Sequence, residues 1–465
     1  MSTQIQVLVI GAGISGLATA YALQKAGAST LIVDSASRPG GVIQSIKRDG
    51  YLLECGPQSF SGTAQLTTLC DSLGILSDRV LADPKAPRYI LIDGGLTSVP
   101  MSPAILASSF FSGGTRSAIF RDIFGKSRAP EPDESVAAFI RRKFSSTLLD
   151  RLVAPFVSGI YAGDPEKLSL RAAFPILHEA ETASGSLVRG LFNVLNERKA
   201  QRGKEPREKP ILQTFNLGNE TLIRALAESL GPRLRLGVEV SSVKALDPGC
   251  EPQAPRFRID LRSVQGHEVI EAERLVLATP TNVVAKLLAP LDPAFESQLS
   301  PVEYSGVAVV SLAYRKEDLS NPLAGFGFLV PRTSGLSVLG CVWNSSLFPN
   351  RAPEGHALLT SFVGGATNPA ALRKTPAELV AQVHAELAPL LGIRKDPVFS
   401  NVTIWPRAIP QYNLGHTARL ASLEAARSKF PGLHFVGNYL NGPAIGTCVE
   451  HALKTAKEIR ISFAN

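Results

Sequence analysis

The residues best placed to do chemistry lie near the start of this 465-residue chain. Gly11-Ala12-Gly13-Ile14-Ser15-Gly16 follows the apolar run Val7–Ile10, and Asp34 with Ser35 closes a second apolar run, Leu31–Val33. Gly11 permits a tight turn, Gly13 lets backbone approach a pyrophosphate, and Gly16 lets a helix pack closely on a strand. The helix that follows turns free N–H groups toward phosphates. A carboxylate about 20 residues on accepts hydrogen bonds from a ribose hydroxyl. The pattern predicts a βαβ unit that binds a dinucleotide. A glycine turn ahead of a core helix would explain the glycines but not Asp34. Next comes Arg38-Pro39-Gly40-Gly41. A glycine pair carries backbone past a bulky ligand without Cβ clashes, and Arg38 is expected to pair with a phosphate. The competing reading of that run is an ordinary surface turn.

No other chemical constellation stands out. The seven histidines are scattered without metal-ligand spacing, so no metal site is expected. Cys55, Cys70, Cys250, Cys341 and Cys448 form no CxxC pair, which fits a reducing compartment and argues against a disulfide framework. Hydrophobic residues make up 45% of the chain and charged residues 19%, the balance of a globular enzyme with more than one lobe. The net charge of +8 suits a polyanionic small molecule or an anionic membrane surface. There is no basic–aromatic motif for nucleic acid. The densest basic run, Arg198–Pro210, carries acidic residues and prolines and reads as an exposed loop. The chain enters its first strand within a few residues, so no leader peptide is expected. No apolar run is long enough to cross a bilayer.

The elements that must hold the dinucleotide are dispersed. After the βαβ unit, Tyr51–Ser59 contains a Gly56-Pro57 turn able to return backbone to the cofactor, followed by Gln58 and Ser59. Helices are expected over about 62–74, from Ser135 to Phe144 with Arg141, Arg142 and Lys143 on the polar side, over Thr221–Leu230, and from Pro376 to Leu391 with Thr375 and Glu378 as a capping box. Leu234–Leu246, Phe257–Leu261 and Ala272–Pro280 read as strands that return to the cofactor sheet. Val307–Leu312, Gly327–Val330, Val338–Val342 and Ala357–Val363 read as a second, substrate-binding sheet. Residues 96–125 are apolar, broken by Pro and Gly, and trailed by Arg116, Arg121 and Lys126. That pattern predicts a helical lobe lying on a bilayer surface. A last short strand, His434–Asn438, which includes Gly437, precedes Gly442-Pro443-Ala444-Ile445 and a terminal helix to about Ile461. The fold class is therefore α/β: a discontinuous Rossmann-like domain (1–75, 211–290, 416–465), a helical lobe with part of the substrate domain (76–210), and a β-sheet substrate domain (291–415).

Several segments resemble one family. Arg38–Gly41 resembles the extended fingerprint of FAD-dependent amine oxidases. Phe156–Pro165 with Gly159, Trp405–His416, and Gly437–Glu450 resemble signature segments of the protoporphyrinogen and coproporphyrinogen oxidases within that superfamily. Phe326–Pro331 and Phe362–Gly365 are similar to that family's substrate-sheet segments. The sequence departs from the family at Asn219, where a Gly is usual, and at Pro443, where a Val is usual and a backbone N–H is lost.

The resemblance implies non-covalent FAD held by Gly11, Ala12, Gly13, Ile14, Ser15, Gly16, Asp34, Ser35, Arg38, Gly41, Val42, Gly56, Pro57, Gln58, Ser59, Val240, Trp405, Gly437, Pro443, Ala444 and Ile445. It implies Arg88 on a propionate, Gly159 against the macrocycle, and Phe326, Leu329, Val342 and Phe362 as walls. No catalytic side chain is assigned, because the cofactor carries the hard chemistry. The implied reaction takes protoporphyrinogen IX to protoporphyrin IX with molecular oxygen as acceptor and release of hydrogen peroxide. The alternatives are coproporphyrinogen III as substrate, an amine oxidase, and a flavoprotein that only carries a tetrapyrrole. The expected location is the cytoplasm, at the inner face of the cell membrane, and the expected partners are a tetrapyrrole, oxygen and that membrane surface, with a homodimer as candidate assembly and no nucleic acid.

Overall fold

The computed structural model describes residues 3–100, 108, 110–124, 131–201, 211–247, 254 and 256–464. β1 (Thr3–Ile10), α1 (Ile14–Lys25) and β2 (Thr30–Asp34) form the expected βαβ unit, with β1 and β2 parallel from Val7↔Thr30 to Ile10↔Val33. On its other side β1 pairs in parallel with Gly266–Leu277. Leu234–Leu236 extends the sheet beyond β2, and Leu433–Phe435 joins Gly266–Leu277 from the chain's far end. Phe257–Ser263 and Glu239–Ala245 complete seven strands. Val7 to Ile10 are all buried, so the strand reads as a continuous apolar run rather than an alternating one. One face is covered by α1, Glu220–Leu230 and the terminal helix Ile445–Ala464; the other by Thr281–Leu288, Pro293–Leu299 and His416–Arg427.

The second seven-stranded sheet runs Phe399–Pro410, Tyr304–Arg315, His356–Gly364, Val338–Val342, Gly327–Leu329, Arg88–Ile92, Gly95–Ser98. The helix Pro376–Leu391 covers one face, and its capping box between Thr375 and Glu378 forms as the sequence predicts. Phe399–Pro410 is a strand that pattern reading did not anticipate. It contains Pro406 and Pro410, and it is an edge strand, where a missing ladder N–H is tolerated.

Element limits shift modestly from expectation. The helix expected over 62–74 is Ala64–Ser72 capped by Thr63, and Leu234–Leu246 breaks into two strands at Gly237, whose φ is +67°. Part of the 96–125 segment is strand Gly95–Ser98 and helix Gly113–Phe124, while 101–107 and 109 lie outside the described residues, as does Lys126. The basic run expected as a loop begins within the helix Leu187–Gln201; residues 202–210, like Cys250, are outside the described residues.

The helical lobe corrects one expectation. Only Arg141 stays on the surface, paired with Glu166. Arg142 and Lys143 turn inward. Arg142 holds Glu134 and Glu181, and Lys143 holds Glu181 at 2.7 Å and Asp122 at 3.2 Å. Buried charge is tolerated here because each group meets an opposite one and further hydrogen bonds. Asp122 also accepts from the Ser186 hydroxyl and the Val188 N–H, so this cluster ties four helical segments together.

Candidate active site

Three backbone segments converge at the C-terminal end of β1. The glycines of the first are not equivalent. A Cβ at Gly11 would lie 2.8 Å from the Ala278 carbonyl, and one at Gly16 would lie 1.9 Å from the Gly11 carbonyl. Those two are fixed by packing. A Cβ at Gly13 would meet no protein atom within 4 Å, although its φ of −70° suits any residue. The space beside Gly13 is open, in contrast to that beside Gly11 and Gly16. Asp34 caps the same turn: its Oδ2 accepts the Ala12 N–H at 2.6 Å and its Oδ1 the Ala36 N–H at 2.8 Å. An ionised carboxylate retains lone pairs for a ribose hydroxyl after both bonds.

The second segment, 38–43, is held by Arg38. Its guanidinium donates to the carbonyls of Gly41 at 2.6 Å, Pro39 at 3.2 Å and Ile43 at 3.4 Å. These bonds tie the guanidinium to the loop's own carbonyls. Gly40 donates its N–H to Ala12, and a Cβ at Gly41 would stand 3.8 Å from the Gly13 Cα. The third segment, the 55–59 turn, presses on the second: a Cβ at Gly56 would lie 2.1 Å from the Val42 carbonyl. Val240 sits beside a bulge in the sheet's edge strand Glu239–Ala245. Pro443 and Ala444 lead into the helix Ile445–Ala464, whose first bond runs from Cys448 N–H to the Ala444 carbonyl.

The second sheet meets this cradle with one face. Register carries Ile90, Leu329, Gly340, Phe362, Val309 and Thr403 across neighbouring strands, and Arg88, Gly327, Val342 and Thr360 across a row two residues away. Trp405 lies opposite Val307 on the same face. Five of the six expected substrate contacts are thereby drawn together or abutted: Phe326 packs with Val342 and Phe362, and its ring lies 5.4 Å from the half-buried Arg88 guanidinium. The sixth, Gly159, comes from the helix Ala154–Tyr161, where a Cβ would lie 2.6 Å from Leu329 Cδ2. Trp405 bridges the two regions. Its Nε1–H donates to the Cys55 carbonyl at 2.6 Å, and its ring lies 5.9 Å from the Arg38 guanidinium.

Sequence reasoning missed a buried polar hub beneath the 55–59 turn. Glu54, 2% exposed, accepts from Arg351 at 2.9 Å, from the Ser45 hydroxyl at 2.7 Å and from the Asn219 N–H at 3.0 Å. Burial pushes its carboxyl up to about 7, with Arg351 foremost in pulling it back. Nothing in the sequence marks Arg351; Asn219 was visible only as a departure from a resemblance. Gly340, between Leu329 and Phe362, was also missed.

On the far side of the turn, the rings of Tyr412 and His416 stack at 4.4 Å. Tyr412 donates its hydroxyl proton to the Asn438 carbonyl. His416 Nε2 lies 2.9 Å from the Tyr439 carbonyl. A carbonyl only accepts, so Nε2 carries the proton. Burial lowers the His416 pKa to about 4, leaving the ring neutral.

Residues 14–460 match the family described as flavin containing amine oxidoreductase. The chain belongs to that family. It is an FAD-dependent oxidoreductase. It is 36% identical to the chloroplastic protoporphyrinogen oxidase of Nicotiana tabacum over 98% of this chain and 86% of that protein. It is 30% identical to the coproporphyrinogen III oxidase of Staphylococcus aureus over 97% of this chain and 98% of that protein. A crystal structure described as a putative protoporphyrinogen oxidase from Exiguobacterium shares the fold, with TM-score 0.79, 24% identity and 99% coverage of both chains. The flavoenzyme's residues fit an FAD. The open space at Gly13 suits a pyrophosphate, and two buried hydroxyls, those of Thr279 and Tyr439, have no hydrogen-bond partner among the described residues. Thr279 lies against Gly11, and Tyr439 against Gly437.

Two outcomes follow for the flavoenzyme. Gly13→Val should fold, since the φ of −70° suits any residue and a Cβ there meets nothing within 4 Å, yet purify colourless; a yellow protein with full FAD occupancy would remove Gly13 from the phosphate cradle. The second concerns pH. His416 titrates near 6.5 when unfolded and near 4 when folded, so the unfolded chain binds more protons between those values. Stability present above pH 6.5 is lost as pH falls toward 4, by about 1–3 kcal/mol from this group. His434 shifts the same way. The fall in Tm between pH 6.5 and 4.5 should therefore be shallower, though not absent, in His416→Gln, and equal slopes would exclude His416 as a source.

Proposed function

We propose that the flavoenzyme oxidises a porphyrinogen to the porphyrin, with protoporphyrinogen IX as substrate and molecular oxygen as final acceptor. The observation that carries this reading is the apolar face bearing Leu329, Val342, Phe362 and Trp405, with Arg88 at one end. A hydrophobic macrocycle with carboxylate arms, puckered as the porphyrinogen and flat as the porphyrin, asks for such a face and such a cation. The identity to a protoporphyrinogen oxidase, 36% over nearly the whole chain, supports it.

The bound flavin supplies a two-electron acceptor that oxygen restores with formation of hydrogen peroxide. The chain's own residues do the positioning. Arg88 takes a propionate, and Phe326, whose ring lies 5.4 Å from it, orients the guanidinium. A guanidinium matches a carboxylate with two parallel bonds. Leu329, Val342 and Phe362 wall the macrocycle, and Gly159 lets the helix Ala154–Tyr161 close over Leu329. Trp405, anchored on the Cys55 carbonyl, limits how far the macrocycle enters. Three two-electron oxidations remove six hydrogens and consume three oxygen molecules. Coproporphyrinogen III is the second reading, favoured by the 30% identity to a coproporphyrinogen III oxidase. In domain terms we assign 1–75, 211–290 and 416–465 to the flavin, 291–415 to the substrate, and 76–210 to the helical lobe and part of the substrate domain.

We also propose that the helical lobe rests on a membrane surface. Among the described residues no helix is long and apolar enough to cross a membrane. Phe120, Phe124 and Phe192 are 64%, 69% and 71% exposed, on helices that also carry Arg116, Arg121 and Arg189. Exposed aromatics flanked by cations suit the interface of an anionic bilayer.

The purified holoenzyme should produce protoporphyrin fluorescence and hydrogen peroxide in step from protoporphyrinogen IX, with a higher kcat/KM than for coproporphyrinogen III. The opposite ranking would support the second reading, and turnover of neither would sink both. Arg88→Ala should raise KM about tenfold or more with little loss of kcat; unchanged kinetics would remove Arg88 from the site. For the lobe, sedimentation with anionic liposomes at low salt should carry wild type down and leave Phe120→Ser/Phe124→Ser in the supernatant. Wild type that stays soluble would sink the membrane proposal alone.

A further inference from the structure

The hub beneath the 55–59 turn closes on itself. Arg351, itself 2% exposed, gives one N–H to Glu54 and another to the Thr214 hydroxyl at 2.6 Å. Thr214 donates its proton to Asn219 Oδ1 at 2.9 Å, and the Asn219 amide donates to the Pro57 carbonyl at 2.7 Å. Pro57 lies three residues beyond Glu54, where the circuit began. The intervening backbone is clamped as well. Gln58 Nε2 donates to the carbonyls of Glu54 at 3.0 Å and Gly56 at 2.9 Å, and Asn344 Nδ2 donates to Gln58 Oε1 at 2.7 Å. Arg351 and Asn344 belong to the segment that feeds the strand His356–Gly364, which carries Phe362. Asn219 and Thr214 come from the flavin side of the chain.

The Asn219 side chain is surplus to its own turn. Its φ of −64° suits any residue, and its backbone N–H bonds Glu54 whatever the side chain. Its neighbour Gly218 is different: φ is +90°, and a Cβ there would lie 2.3 Å from the Ser45 hydroxyl oxygen. A buried ion pair is an expensive way merely to fill space, since apolar residues of similar volume are often as stable. What the circuit does that apolar packing does not is fix the direction of the Pro57 and Gly56 carbonyls.

We propose that the Arg351–Thr214–Asn219 relay, closed through Glu54, is a positioning device that holds the flavin-facing turn 55–58 in register with the substrate sheet. Asn219 and Thr214 are its positioning residues. The proposal rests on the assignment of this turn to the flavin and not on which porphyrinogen is oxidised. Weakening the relay loosens the turn, so the flavin is held less tightly and its ring is presented less accurately to whatever lies on the Phe362 face.

Removing Glu54 or Arg351 outright would strand a buried charge and risk unfolding, so the test uses Asn219→Ala and the near-isosteric Thr214→Val. In Thr214→Val, Arg351 Nη2 keeps the Phe215 carbonyl at 3.4 Å as a partner. FAD affinity is read by fluorescence on rebinding to apoprotein, together with the visible flavin spectrum and, for the FAD-saturated enzyme, kcat and KM. Each variant should weaken FAD binding about three- to tenfold, alter the flavin band shape, and lower kcat with KM unchanged. Because both residues lie on one relay, the double variant should be little worse than either single one. Variants that lose Tm but keep FAD affinity, flavin spectrum and kcat would overturn the proposal, as would additive effects in the double variant. Unaltered FAD binding by the variants sinks this inference alone; wild-type protein that binds no FAD sinks the flavin assignment with it.

Discussion

Backbone that must approach backbone without intervening side chains is the constraint on which this molecule depends. At Gly11, Gly16 and Gly56 there is no room for a methyl group, because the opposing atoms are carbonyls of Ala278, Gly11 and Val42. These contacts lock the first helix onto the first strand and the 55–59 turn onto the 38–43 loop. Gly13 stands among them with open space where its side chain would be. The difference separates glycines fixed by packing from one whose side-chain position is open. Arg38 ties the 38–43 loop through its own carbonyls, which holds the loop's backbone beside Gly13.

The two sheets do different physical work. The first is buried on both faces, draws strands from residues 3–34, 234–277 and 433–435, and so brings the chain's two ends to one site. The second is covered by the helix Pro376–Leu391 on one face only. Its other face, with Phe362, Leu329 and Trp405, is turned to the cradle and the helical lobe. Apolar wall and nucleotide cradle are joined where Trp405 donates to the Cys55 carbonyl and, underneath, where Arg351 meets Glu54. Holding a macrocycle at a fixed distance from a flat cofactor is a task for rigid elements.

How much of this the sequence discloses follows from how local each signal is. The βαβ unit, its glycines and Asp34 lie within one contiguous stretch, and the helix Pro376–Leu391 announces itself through Thr375 and Glu378, three residues apart. Strand Phe399–Pro410 escaped because its prolines look like breakers until its place at a sheet edge is known. Arg142 and Lys143 looked solvated because the acids that pay for their burial, Glu181 and Asp122, are remote in sequence. The Glu54–Arg351 pair spans 297 positions, and no periodicity reports a contact of that kind. The proposed substrate face was legible mainly through resemblance, since Leu329, Val342 and Phe362 are ordinary strand residues until register sets them in adjoining rows.

The central claim is that a porphyrinogen on the Phe362 face gives its electrons directly to the flavin in the glycine cradle. Anaerobic mixing of the holoenzyme with protoporphyrinogen IX in a stopped-flow instrument tests it without reliance on oxygen or on peroxide detection. The account predicts that the visible flavin absorption bleaches in a single turnover, at a rate that saturates with porphyrinogen and is no slower than kcat, and that it returns when oxygen is admitted. Flavin that stays oxidised in the presence of saturating porphyrinogens would contradict it.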